Sequence, residues 1–162
     1  MTKGPGEVHQ PTPLRSTFLC TLTGEVGAPM EVGVMPQGER RIVPIEGGQF
    51  DGPRLRGRVL SFGADWMSIR PDNVIAIDCR AVLETNDSAL IYMSYRGFRY
   101  GPPSVMEALG RGESVDPSDY YFRIAPTFET GSEKYSWLNR IVAVGIGRRV
   151  PSGPIYDLYE II

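Results

Sequence analysis

Three carboxylates sit where proton chemistry could be done: Asp65 in "GADW", Asp78 in "IDCR" and Glu129 in "FETG". Each has an aromatic ring or an arginine close by in sequence. A carboxylate held among Trp and Tyr rings has its charged form disfavoured by desolvation, which raises its pKa toward the range where it can take and return a proton. An arginine beside it opposes that shift and can instead hold an anionic oxygen. Arg80, two residues from Asp78, and Arg123 in "YYFRIAP" are the candidates for that role, with Trp66, Tyr121 and Trp137 as walls. "EKYSWLNR" sets Tyr135, Trp137 and Asn139 at alternate positions, which share a face if the segment is a strand and would suit a greasy pocket with a few hydrogen-bonding tips. The competing reading is ordinary core packing with those tips at its rim.

Other chemistries find little support. The one histidine, His9, lies in an unpatterned lead-in, so a Ser-His-Asp or Cys-His system and imidazole-held metals are not expected. The remaining carboxylates lack the spacing of calcium loops, so neither a metal nor another cofactor is expected. Cys20 and Cys79 stand far apart inside apolar patterns and read as buried free thiols. "GIGRR" lacks a third glycine and a βαβ context. The glycine-rich "GGQFDGP" is not followed by Lys-Ser and a helix, so no nucleotide cradle is read there.

These candidates must be positioned by strands. The chain has 162 residues and a net charge of −2 from 17 basic and 19 acidic side chains, which suits one domain and argues against a nucleic-acid partner. No apolar run reaches a membrane span, and the N-terminus has no apolar middle like that of a signal peptide, so the cytoplasm is the default expectation. Residues 1–15 read as a flexible lead-in and 16–162 as one domain. That stretch is dominated by a period of two, in about nine or ten short segments separated by Gly, Asn, Asp and Pro turns. Only "PPSVMEALGRG" has helical character.

So many antiparallel strands either pack as a sandwich or close into a barrel, and the placement of polar residues favours an up-and-down barrel of about 8–10 strands with one short helix. In "VIAIDCRAVLET", Ile75, Ile77, Cys79, Ala81 and Leu83 share one face, and Ala76, Asp78, Arg80, Val82 and Glu84 the other. The polar face either meets solvent as a charge ladder or lines a cavity. Arg54, Arg56 and Arg58 are expected outward, opposite Leu55, Gly57 and Val59, with Gly57 allowing tight coiling or leaving room inside for a ligand. Gly47, Gly48, Gly52 and Pro53 are read as a reversal, and Gly63 as a break before Asp65 and Trp66.

The succession "GGQFDGPRLRGRVLSFGADW", "IDCRAVLETNDSALIYMSYRG" and "YYFRIAPTFETGSEKYSWLNRIVAVGIGRR" resembles the bacterial and fungal family known as domain of unknown function 3237, from about Phe18 to the C-terminus. The family pattern matches at Asp65, Trp66, Asp78, Arg80, Glu84, Phe128, Glu129, Trp137, Leu138 and Asn139; at the hairpin tip, Asp87-Ser88 replaces the usual Asp-Gly. The resemblance implies a small closed β-barrel, similar to other ligand-holding barrels, without a settled activity. The insertion "PPSVMEALGRGESVDPSD" is read as a lid over one end.

Three functions remain open on these grounds. One is a cofactor-free lyase, isomerase or cyclase acting on a small, largely apolar molecule. The second is a non-catalytic binder of such a molecule, and the third a solid-core structural or interaction barrel; under any of them the aromatic- and glycine-rich strands could pair between subunits as a homo-oligomer. Convergence of Asp78, Arg80, Trp66 and Trp137 on one enclosed void would exclude the last; their pointing to bulk solvent would exclude the first two.

Overall fold

The computed structural model describes residues 9–162; residues 1–8, part of the lead-in expected to be flexible, lie outside the described residues. Ten strands follow: β1 (Ser16–Val26), β2 (Met30–Met35), β3 (Gly38–Asp51), β4 (Gly57–Asp65), β5 (Ser68–Ile69), β6 (Ile75–Thr85), β7 (Leu90–Tyr100), β8 (Tyr121–Glu129), β9 (Ala143–Val150) and β10 (Gly153–Ile161). One α-helix, α1 (Pro103–Gly110), links β7 to β8 and starts, as expected, on the double proline.

Eight of the strands close an antiparallel barrel in the order β1-β10-β9-β8-β7-β6-β4-β3, with β3 returning to pair with β1. β2 extends β3 outside the ring, and the two-residue β5 bridges β3 and β6. Closure leaves few unpaired strand edges, the condition under which so many short strands are stable without a partner sheet.

The period of two appears directly in burial. Along β8, Phe122, Ile124, Pro126 and Phe128 are buried while Tyr121, Arg123, Ala125 and Glu129 are exposed. On β6 the apolar face, Ile77, Cys79, Ala81 and Leu83, points inward. Leu83, Ile91, Phe50, Phe128 and Leu138 fill the end of the barrel toward the β6–β7 hairpin. Each such side chain contributes about 1.5–3 kcal/mol by leaving water.

Segment 135–140 differs from its expectation. Ser136–Arg140 is a 3-10 turn, not a strand, so Tyr135, Trp137 and Asn139 do not share a face. Leu138 points into the core and Tyr135 is buried beside it. The Tyr135 hydroxyl donates to Asp87 Oδ1 at 2.8 Å, and Lys134 Nζ lies 2.6 Å from Asp87 Oδ2. These bonds, with one from the Thr85 hydroxyl, hold the Asp87 carboxyl well below the usual carboxylate range and pin the turn to the hairpin tip.

The glycine-rich stretch also differs from its expectation in part. Arg54, Arg56 and Arg58 do point outward, with Leu55 and Val59 buried. Gly47 and Gly48, however, lie within β3, and the reversal falls in residues 52–56. At Gly57 no space is left for a ligand: a Cβ there would stand 2.0 Å from the Glu84 carbonyl oxygen and 2.7 Å from the Phe50 ring. Gly63 does not break β4. With φ +89° it forms a bulge, since Val59 pairs with Leu83 but Gly63 pairs with Ala81, two extra residues on β4.

Candidate functional site

The bulge at Gly63 decides where Asp65 sits. Without the two extra residues, Asp65 would face Ile77; with them it pairs with Cys79, one inward layer deeper, or about 6–7 Å along β6. Because two residues preserve the alternation, its side chain still points into the barrel.

There it borders a chamber of about 550 Å³. Ile45, Val59, Ile77, Ala81, Met93 and Phe122 make its walls, and Met106 and Leu109 of α1, in the insertion read as a lid, also line it. Its polar lining comprises Asp65, Arg99, Arg149, Tyr95, Tyr156 and the Cys79 thiol, with Arg41, Asn73 and Glu107 also bordering it.

Burial pushes the Asp65 carboxyl up from 3.8 to about 6, against the lowering effect of the Asp78 backbone N–H, which donates to Oδ1 at 3.0 Å, and of the Arg99 charge. Burial likewise pushes the Cys79 thiol up to about 12, so it is a neutral wall group. Tyr95 and Tyr156 meet edge to face with ring centroids 5.4 Å apart, and burial raises both hydroxyl pKa values well above 10, which keeps them protonated. Phe122 packs on Tyr156 at 5.2 Å and lies under the Arg99 guanidinium at 5.3 Å.

Of the other residues singled out from sequence, Tyr135 is buried in the core and the rest stand away from the chamber. Asp78 has its carboxylate 3.7 Å from Arg80 and 3.8 Å from Arg96, and Arg80 lies over the Trp66 ring at 5.3 Å, so these form an outer-face cluster. Arg123 crosses its exposed neighbour Tyr121 at 5.3 Å. Glu129 and Asn139 border a shallow open depression; Asn139 also exchanges two hydrogen bonds with the Thr130 backbone. Trp137 is covered by Arg54 at 3.8 Å.

Asp78, Arg80, Trp66 and Trp137 therefore do not converge on a void, and the criterion built on them fails because the barrel has a chamber that other residues line. The reading of their face as the cavity wall is corrected: it meets solvent, because the apolar alternates of β6 take the inside. Of the ten residues singled out, only Asp65 lines the chamber. The inward arginines and tyrosines were overlooked because polar residues were sought on polar faces. Their signal is parity: Ile91, Met93, Tyr95, Gly97 and Arg99 alternate along β7, and Ala143, Gly145, Gly147 and Arg149 along β9. A charge at the end of an apolar alternation marks the chamber.

No group of three His, Cys, Asp or Glu side chains suited to a metal occurs among the described residues. No helix among them is long and apolar enough to cross a membrane.

A UPF0311 protein of Rhodopseudomonas palustris is 38% identical over 149 residues, covering 92% of this chain and 97% of its own. Its crystal structure, described as a conserved protein of unknown function, superposes with a TM-score of 0.91 over 94% of this chain and 100% of that one. A β-barrel-like protein of Acinetobacter baumannii is 42% identical with a TM-score of 0.83, covering 96% and 100% of the two chains. An enzyme from Penicillium herquei shares the fold at a TM-score of 0.73 and 21% identity, over 96% of this chain and 100% of its own. The family described as "Protein of unknown function (DUF3237)" matches residues 14–161, and the chain belongs to that family.

Proposed function

We propose that the barrel chamber binds a small, largely apolar molecule and that Asp65 exchanges a proton with it, as in a cofactor-free isomerisation, cyclisation or elimination. The observation that carries this reading is the position of one carboxyl, pushed up to about 6, at the wall of a 550 Å³ apolar chamber. A carboxyl near that value is charged enough near neutrality to accept a proton and acidic enough to return it.

The step needs nothing beyond the substrate. Asp65 takes a proton from an acidic C–H or O–H, the electron pair left behind moves within the substrate, and the same proton returns at a second atom. Protonated Tyr95 and Tyr156 are hydrogen-bond donors for an oxygen on which charge accumulates. The helix α1 borders the chamber with Met106 and Leu109, and closing it over a bound molecule would exclude water and strengthen each of these interactions.

Native mass spectrometry of the purified protein tests the binding claim. The expected result is a co-purifying small molecule in the wild type that is reduced or lost in Ala81→Trp, which puts an indole into the chamber beside Asp65 and Met93. An adduct retained undiminished in Ala81→Trp would place the ligand elsewhere. Turnover of the captured molecule or its relatives is expected to fall about 100-fold or more in Asp65→Asn. A bound molecule that is never converted would leave the chamber as a binding site without catalysis.

A further inference from the structure

Arg99 ends the inward row of β7, where it pairs with Ile75 on one side and Phe122 on the other. Its stem is half-buried, but its Nε is fully buried and has no hydrogen-bond partner; it is the one such side-chain atom among the described residues. Arg149 ends the inward row of β9 and borders the same chamber. Its backbone N–H donates to the Tyr120 hydroxyl oxygen at 2.8 Å, and one guanidinium nitrogen donates to the Val150 carbonyl. Neither arginine has a carboxylate within salt-bridge distance among the described residues.

Both guanidiniums border the one chamber. Burial and the Arg149 charge both disfavour charged Arg99, and Asp65 offsets this only in part. A buried N–H left without an acceptor is destabilising, and a desolvated cation beside another cation is more so. Packing does not require either group, since a methionine or leucine would fill the same wall. The other ionisable groups at the chamber are accounted for: Arg41 is paired with Glu39 at 2.8 Å, and Glu107 of α1 is exposed to solvent. Inside remain two positive charges and one negative, Asp65.

We infer that Arg99 and Arg149 form an anion subsite that receives the carboxylate of a monoanionic ligand whose apolar body lies against Met93, Ile77 and Phe122. A net charge of +1 matches a monoanion, and planar guanidiniums suit the two oxygens of a carboxylate. The Arg99 guanidinium supplies the donors through its terminal nitrogens, its Nε being buried without a partner, and the Phe122 ring lies beneath it at 5.3 Å. The inference rests on the chamber being a ligand site, as proposed above, and adds the charge and group of the molecule it takes.

Isothermal titration with 2-naphthoate and with its neutral counterpart 2-naphthamide separates the two claims. The expected result is that 2-naphthoate binds the wild type about tenfold or more tightly than 2-naphthamide, and that Arg99→Gln removes this preference while leaving 2-naphthamide affinity within about twofold. Arg149→Gln, whose wild-type side chain is already partly satisfied by Val150, is expected to reduce the preference by a smaller factor; it decides the matter if Arg99→Gln fails to give a cooperative melt. Equal affinity of the two probes for the wild type would overturn the anion subsite and leave the chamber standing as an apolar ligand site. A preference that survives both substitutions would overturn the assignment to these arginines. Failure of both probes to bind would overturn the subsite together with the chamber reading.

Discussion

Replacing Asp65 by asparagine should stabilise the protein at alkaline pH and do little in acid. The carboxyl is carried from an ordinary 3.8 to about 6 chiefly by burial, so the folded state holds its proton more tightly than the unfolded chain does. Stability from this group is therefore fully present below 3.8 and is lost as pH rises through about 6. At about 1.36 kcal/mol per pKa unit, the burden on the wild type above that window is about 3 kcal/mol. Asparagine keeps the acceptor for the Asp78 backbone N–H without the charge, so it escapes that burden. Urea denaturation of both proteins should show Asp65→Asn more stable by about 3 kcal/mol at about pH 8, and by less than about 1 kcal/mol at about pH 4. The corresponding rise in melting temperature at alkaline pH is about 6–12 °C for a chain of this size. An offset that is equal at the two pH values, or a less stable variant at about pH 8, would refute the claim that a desolvated carboxyl faces the chamber.

Other substitutions probe the frame around it. Gly57→Ala places a Cβ 2.0 Å from the Glu84 carbonyl oxygen and should cost about 1–3 kcal/mol or more in urea denaturation; an unchanged midpoint would contradict the close strand approach. Phe122→Ala removes a buried ring from beneath Arg99 and Tyr156 and should cost about 3–5 kcal/mol. Asp78→Asn and Glu129→Gln, outside the barrel, should change probe affinity by less than about twofold and stability by less than about 1 kcal/mol. Cys20 and Cys79, both buried with thiols pushed up to about 12, should resist a thiol reagent in the native protein and react fully only after unfolding.

How far the fold was readable follows from which physical signals are local. Alternation along β6 and β8 is local, so the strands, which residues share a face and the closed antiparallel barrel were accessible from the residues alone, while which face of β6 turns inward was not. The double proline marked α1 for the same reason. The 3-10 turn at Ser136–Arg140 was not accessible, because Tyr135, Trp137 and Asn139 satisfy a strand pattern as well as a turn pattern. What selects the turn is remote: Asp87 on the hairpin tip binds Lys134 and Tyr135, and Thr130 binds Asn139. The Gly63 bulge escaped notice because its cause lies in pairing with β6. The site was legible only at Asp65. Arg80 and Asp78 looked functional because they lie together in sequence, yet β6 turns them outward. Arg99 and Arg149 are 50 residues apart, and only barrel closure brings both to one chamber.

Carbon-13 NMR titration of the Asp65 carboxyl, assigned by comparison with Asp65→Asn and repeated with 2-naphthol added, tests the central claim most directly. The account predicts an apparent pKa of about 6 in the free protein that shifts when the probe occupies the chamber. A carboxyl that titrates near 3.8 and does not respond to the probe would contradict it.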